Sequence, residues 1–530
     1  MPSPKLLYIY GIIRQLVTIN THVMNTSLKN FTLFCFILSV SSVFGQVDQR
    51  VYTVAELHED WDIFRHELET MHPGLNLYTS KTAMDATFDR VKASINHPMT
   101  AAEFYPYLAQ MNPYIKNGHT VIRPSAAFDE YVATKAPILP LDVHWHGDSL
   151  FVLRNMTNEM ALEPGTYLRS INGKDAWTEF MDIAGNWNRD GENTSFPKGI
   201  VARAFAEIYA NFRGFPEQFD LEIVDAQGQT QQLNIAPMPA DERAAIRTER
   251  YGEVYHYWDK SQGDALTLHF EENLAIITLR HCGNTDVREF MKTIKGQYRR
   301  IFKEIIASGV QNLVIDIRNN PGGNQWPTIY LMRHLAKQPF YLYQQDYLIG
   351  RTLSEYYDAP RFWYNTLGSI ILSKNEDGTY YANWLAGVLY GKHRPKLRQP
   401  SDLQFNGQVY TLTNYATFSA GGYLAGMLEQ HTNSIFIGEE PGGNANECIA
   451  GESFDLVLPN TKNRVLMQIV HSKIVVDREN NGHGVEPDYP VRPTATQLHS
   501  GVDPEMDLVR SLIQLPQQQQ TMDNTVAGKK

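Results

Sequence analysis

Ser419 stands where a strand-like run gives way to a helix-like one, a position from which a hydroxyl can act. Residues 409–418, Val-Tyr-Thr-Leu-Thr-Asn-Tyr-Ala-Thr-Phe, are apolar and β-branched in the manner of a buried strand. Ala420, Gly421 and Gly422 follow, and then Tyr423, Leu424, Met427 and Leu428 recur at helical spacing. A serine on such a turn exposes its hydroxyl at a helix N-terminus. First-turn amides can hold an oxyanion there, and small neighbours admit a substrate backbone. The same residues also describe an ordinary serine N-cap.

A second turn supplies what the first would need. Residues 313–324, Leu-Val-Ile-Asp-Ile-Arg-Asn-Asn-Pro-Gly-Gly-Asn, are an apolar strand running into glycines. Such a turn presents backbone N–H groups, and without a Gly-Lys-Ser/Thr ending it is not a phosphate loop. Other candidates are weaker. His144 and His146 share one face of an expected strand as two metal ligands would, but no third ligand has a recognisable spacing, so a surface strand is expected. His483, between Gly482 and Gly484, offers a base or simply a turn residue.

The elements that must position these groups fall into blocks. Leu57, Trp61, Phe64 and Leu68 recur at helical steps until His72-Pro73-Gly74, with further helices expected around Phe88, Val91 and Ile95 and around Phe104, Leu108 and Met111. This helical module is expected over 46–135. Strands then dominate: Ile138–Val143, Ser149–Leu153, a stretch with Tyr167, Leu168 and Ile171 closed by an Asn172-Gly173 turn, and Phe219–Val224. From about Asp264 strand and helix alternate, which predicts an α/β layered core over 250–496. The fold class is therefore mixed α/β and multidomain. The polar, Gln-rich tail over 497–530 is expected to be disordered.

With 530 residues the chain needs about three cores. Its formal charge of −11 argues against non-specific nucleic-acid binding. Lys29, the short apolar run Phe31–Val40 and small residues at Val43 and Gly45 form a secretory signal pattern, so residues 1–45 read as extension plus signal peptide. Met24 is then the expected start. Export to the periplasm or the medium follows, with no stable membrane insertion once the signal is cleaved. Cys282 and Cys448 are the cysteines left, too few for a disulfide framework or a zinc site of their own.

Taken together, "LVIDIRNNPGG", "TFSAGG", "IGEEPGG" at 437–443 and "GVEPDYPV" at 484–491 resemble the tail-specific (C-terminal processing) serine peptidase family, which includes the tricorn protease and retinoid-binding repeats. The likeness runs in family order over most of the mature chain. Within it, Gly165, Leu168, Ile171, Asn172 and Gly173 resemble a PDZ motif, which implies a peptide-binding PDZ-like domain over 136–240. The core would resemble the family's ClpP/crotonase-like spiral. The resemblance makes Ser419 the nucleophile, with the amides of Ala420 and of Gly322 or Gly323 as oxyanion hole.

Two bases occur in that family. A lysine some two dozen residues on would fall at 419 + 25 = 444, which is Asn444, and the nearest downstream lysines are Lys462 and Lys473. The tricorn-like branch instead uses a histidine and a glutamate, matched here by His119 in Asn117-Gly-His-Thr and by Glu479. Asn117 departs from that branch's aspartate and Gly118 from its frequent serine. A neutral imidazole suits a serine nucleophile if an acid orients it. The resemblance thus implies a secreted serine endopeptidase acting on peptides or protein tails through an acyl-enzyme, with no cofactor or metal. The alternatives are a non-catalytic binding protein for a peptide or apolar ligand, and an esterase on the same triad.

Overall fold

The computed structural model describes residues 49–252, 264–283, 287–344, 346–385 and 395–514. The signal-peptide pattern and the last residues of the tail lie outside these.

Thr53 and Glu56 form a reciprocal capping box that starts the helix Val54–Met71. Its Leu57, Trp61, Phe64 and Leu68 face inward. Trp61, Phe64 and Phe88 meet edge to face with centroids 5.7–6.2 Å apart. Each such pair adds about 0.5–1.5 kcal/mol beyond its burial, which docks the helix Lys81–Ser94 on the first. The third helix, Ala101–Ala109, leads to a short turn at Asn112–Ile115. The chain then emerges as the strand Val121–Arg123.

That strand pairs antiparallel with Arg464–Gln468, at the edge of a four-stranded sheet. The pairing brings the helical block against the later part of the chain. Asp60, buried on the first helix, reinforces it by accepting from Thr461 N–H (2.8 Å), Thr461 Oγ1 (2.6 Å) and Asn460 N–H (2.9 Å).

The strand-rich segment is an antiparallel sheet in the order 230–235, 219–224, 167–171, 149–155, 141–146. Asn172 and Gly173 both have positive φ, +50° and +76°, as a two-residue hairpin of this twist requires. The sheet is fastened through its 141–146 edge. His144 Nε2 donates to Pro493 O (2.8 Å) and Arg492 Nε to Trp145 O (2.8 Å), with the guanidinium 3.7 Å above the Trp145 ring. His144 is thus a buried fastener and not part of a surface strand; His146, two residues on, is exposed.

The α/β core is built on a sheet in the order Leu266–Glu271, Leu274–Leu279, Asn312–Asp316, Gln408–Thr413, Ile435–Gly438, Tyr489–Pro490. The first pair is an antiparallel hairpin and the remaining pairings are parallel. Helices Val287–Ser308 and Ala420–His431 make the crossovers on either side of the central pair. Both chemical turns therefore lie at the carboxyl ends of adjacent parallel strands, where α/β sheets present their sites.

The tail departs from the disorder expected of it. Residues 495–499 and 504–514 are helical, and Met506 and Val509 are buried against Leu274, Val314 and Ile437. Polar composition concealed this short apolar stripe. Arg318, wholly buried, holds the second helix in place. It donates to Asp316 (Nε 3.0 Å, Nη2 2.9 Å) and to both Asp503 oxygens (2.8 and 2.9 Å), with Glu505 at 3.3 Å. Arg318→Ala strands these carboxylates around a void and is expected to cost about 3–5 kcal/mol, measured by urea unfolding.

Candidate active site

Ser419 has φ +52° and ψ −120° and leads directly into the helix Ala420–His431. A non-glycine residue held there is strained, and the surroundings impose it. Asn319 N–H donates to Asn414 Oδ1 and Asn414 Nδ2 to Asn319 Oδ1, both at 2.9 Å. Phe418 N–H donates to Asn320 O (2.9 Å) and Thr417 Oγ1 to Ile317 O (2.8 Å). The glycine turn is thereby laced to the serine turn.

Gly322, at φ +92°, touches the serine turn so closely that a Cβ would fall 2.6 Å from both Ser419 Cβ and Ala420 N. Its own amide is taken by Asn320 Oδ1 (2.8 Å). Among the described residues, neither the Gly323 nor the Ala420 amide donates to any acceptor. On the other side the Ser419 hydroxyl meets the Cys448 thiol, whose pKa burial pushes up to about 12 against the contact with serine. Cys448 and Cys282 are both free thiols.

His119 precedes the docked strand Val121–Arg123, and Gln468 Nε2 fixes its carbonyl (2.8 Å). Its ring stacks on Phe418 with centroids 4.4 Å apart, and Phe196 stacks on the other side of Phe418 at 4.4 Å. Both imidazole nitrogens are buried, and neither hydrogen-bonds a described residue. Burial lowers the pKa of the ring, and the Asp190 carboxylate opposes that. The two sequence departures also gain a physical reason here. A Cβ on Gly118 would lie 2.7 Å from Phe418 Cζ, and Asn117 Oδ1 holds the turn by accepting from Thr120 N–H (2.8 Å) and Oγ1 (2.7 Å).

The expected third residue lies elsewhere. Glu479 is exposed, and among the described contacts its carboxylate makes no hydrogen bond or ion pair. Asp190, which no sequence pattern singled out, is the carboxylate whose charge acts on His119. His483 is half-buried with Nδ1 3.0 Å from Glu440 Oε1. Lys462 bonds its own turn through Pro459 O (2.8 Å), and Lys473 is exposed. Asn444, at the lysine position of the other branch, is buried and donates to Tyr78 Oη (2.7 Å). Among the described residues no group of three or more His, Cys, Asp or Glu could hold a metal ion, and no helix is long and apolar enough to cross a membrane.

Residues 281–491, which carry Ser419 and both laced turns, match the model of peptidase family S41. Mature CPAF complexed with lactacystin superposes with a TM-score of 0.57 at 14% identity, over 87% of this chain and 98% of that one. Mature CPAF alone gives 0.55 at 14% identity, over 84% and 94%. The photosystem II D1 C-terminal processing protease, 14% identical over 83% and 94%, overlaps more loosely at 0.37. No curated protein matches the chain in sequence. The matched segment supports a serine peptidase. The likeness to peptidase family S41 is carried by residues 281–491.

The Phe418 sandwich yields a test. Gly118→Ser should overpack it and lose about 1–3 kcal/mol in urea unfolding. Combined with Phe418→Leu, the loss should be less than the sum of the two single losses, because the clash is shared.

Proposed function

We propose that the chain is an exported endopeptidase that cleaves peptides or protein tails through an acyl-enzyme on Ser419. The carrying observation is the strained Ser419 at a helix N-terminus, pressed against the Gly322 turn with the Ala420 and Gly323 amides left to donate. His119 takes the hydroxyl proton as the oxygen attacks the substrate carbonyl, and returns it to the leaving amine. The two amides hold the oxyanion of the tetrahedral intermediate. Catalytic hydrogen bonds commonly close only when substrate arrives, so the unengaged ring nitrogens are compatible with this role. Glu479, exposed, is left out of the machinery. The antiparallel sheet over 141–235 is the proposed PDZ-like module. Its 230–235 strand lies at a sheet edge, where a peptide could add as a further strand.

The unengaged His119 nitrogens also favour a second reading, a non-catalytic peptide-binding protein on the same fold. A fluorophosphonate probe separates the two. Labelling mapped to Ser419 by mass spectrometry, with peptide hydrolysis falling about 10⁴-fold or more in Ser419→Ala, supports the peptidase. An unlabelled serine and binding unchanged in Ser419→Ala supports the binding protein.

The pH profile has a definite sign. His119 acts as base when neutral, so kcat/KM should rise with pH. Because burial lowers its pKa, the midpoint should fall below the ordinary imidazole value of 6.5. His119→Ala should remove that limb together with most of the rate.

A further inference from the structure

Asp190 is a buried carboxyl without a fixed counter-charge; burial pushes its pKa up, and His119 together with three hydrogen-bond donors opposes that. It is 6% exposed. Its Oδ1 accepts from Gly118 N–H (2.7 Å) and Asn117 Nδ2 (3.4 Å), and its Oδ2 from Asn444 N–H (3.4 Å). All three donors are neutral, and among the described ion pairs no Lys, Arg or His nitrogen lies within 4.0 Å of it. A carboxylate this buried is costly unless a nearby charge compensates it. It bonds the residue next to His119, whose two buried ring nitrogens have no hydrogen-bond partner among the described residues and whose protonated form the Asp190 carboxylate favours.

The loop that carries Asp190 is fixed as a support should be. Gly191 N–H donates to Lys116 O (2.9 Å) and Glu192 N–H to Gly482 O (2.9 Å). Asn188 Nδ2 bonds Gly118 O, Lys116 pairs with Glu192, and Asn193 Nδ2 reaches Pro441 O (2.8 Å). Gly191, at φ +55°, packs so tightly on Gly482 that a Cβ would lie 2.2 Å from its carbonyl oxygen. One loop between helices Ala176–Gly185 and Ser195–Arg203 therefore grips the His119 turn, the Asn444 segment and the Gly482 turn together. Asn117 completes the clamp, because its amide donates where an aspartate would repel.

We infer that Asp190 is the positioning residue of the catalytic histidine, fixing its turn and stabilising the imidazolium formed when Ser419 gives up its proton. This rests on the peptidase reading of Ser419 and His119. No atom is exchanged with Asp190; the proton moves from Ser419 Oγ to the ring and on to the leaving amine. The Phe418 ring stacked on the imidazole is neutral, and the charge acting on His119 is that of Asp190.

The test compares Asp190→Asn, Asp190→Glu and Glu479→Gln in the full chain, by kcat, KM and the pH profile of peptide hydrolysis. Circular dichroism and urea midpoints identify the folded variants. Asp190→Asn should lose about 100-fold or more in kcat with KM within threefold, and its acid limb should move to lower pH, because an uncompensated imidazolium is harder to form. Asp190→Glu should recover part of the rate, and Glu479→Gln should stay within twofold of wild type. Asp190→Asn within threefold in kcat with an unmoved limb, or a 100-fold loss in Glu479→Gln, overturns the inference. If Asp190→Asn does not fold, Glu479→Gln decides by the same limits. Failure of the peptidase reading would show separately, as a wild-type chain that neither hydrolyses peptide nor labels at Ser419.

Discussion

Two turns at the carboxyl ends of neighbouring parallel strands occupy almost the same space, and they can do so because Gly322 has no side chain. Everything proposed for the site depends on that contact. It brings the serine turn against a row of backbone donors, and the reciprocal Asn319–Asn414 pair prevents the turns from sliding apart. The strain at Ser419 is sustained by this lacing and by the strands beneath it, since a positive φ in a non-glycine residue persists only where its neighbours over-determine it.

The remaining parts of the site arrive from far along the chain, each on its own tether. A three-residue strand added to the edge of a sheet delivers His119. A loop between helices Ala176–Gly185 and Ser195–Arg203 delivers Asp190, and the neighbouring antiparallel sheet is itself fastened to the core by Arg492 and Pro493. The supports are mostly neutral hydrogen bonds between buried groups, which are directional and costly to leave unmade. They fix the geometry of a site whose charges are few.

How much of this could be read in the sequence depends on the range of the contacts. The serine turn and the glycine turn were legible because each is local: an apolar strand, then small residues, then a helical period. The helices of the first block showed through Leu57, Trp61, Phe64 and Leu68 for the same reason. His119 emerged from a resemblance and not from any pattern of its own. Asp190 stayed hidden, because Asp-Gly in a polar loop reads as a turn and its meaning lies in donors from Gly118 and Asn444. Glu479 shows the opposite case, well placed in sequence order and exposed in space. The tail helix was masked by its polar surroundings, with only two buried apolar side chains, Met506 and Val509, among its described residues.

Arg318 lies in the glycine turn itself, but its partner Asp503 comes 185 residues later. A ribosome delivers the chain in order, so the guanidinium is translated long before the carboxylate that completes its clamp. Until the segment around Asp503 arrives, the sheet face over Leu274, Val314 and Ile437 also lacks its cover. The turn that faces the serine thus gains this tether only after the segment around Asp503 has been made. Vectorial translation thereby makes completion of this turn wait on a carboxylate far downstream of the strand that carries it.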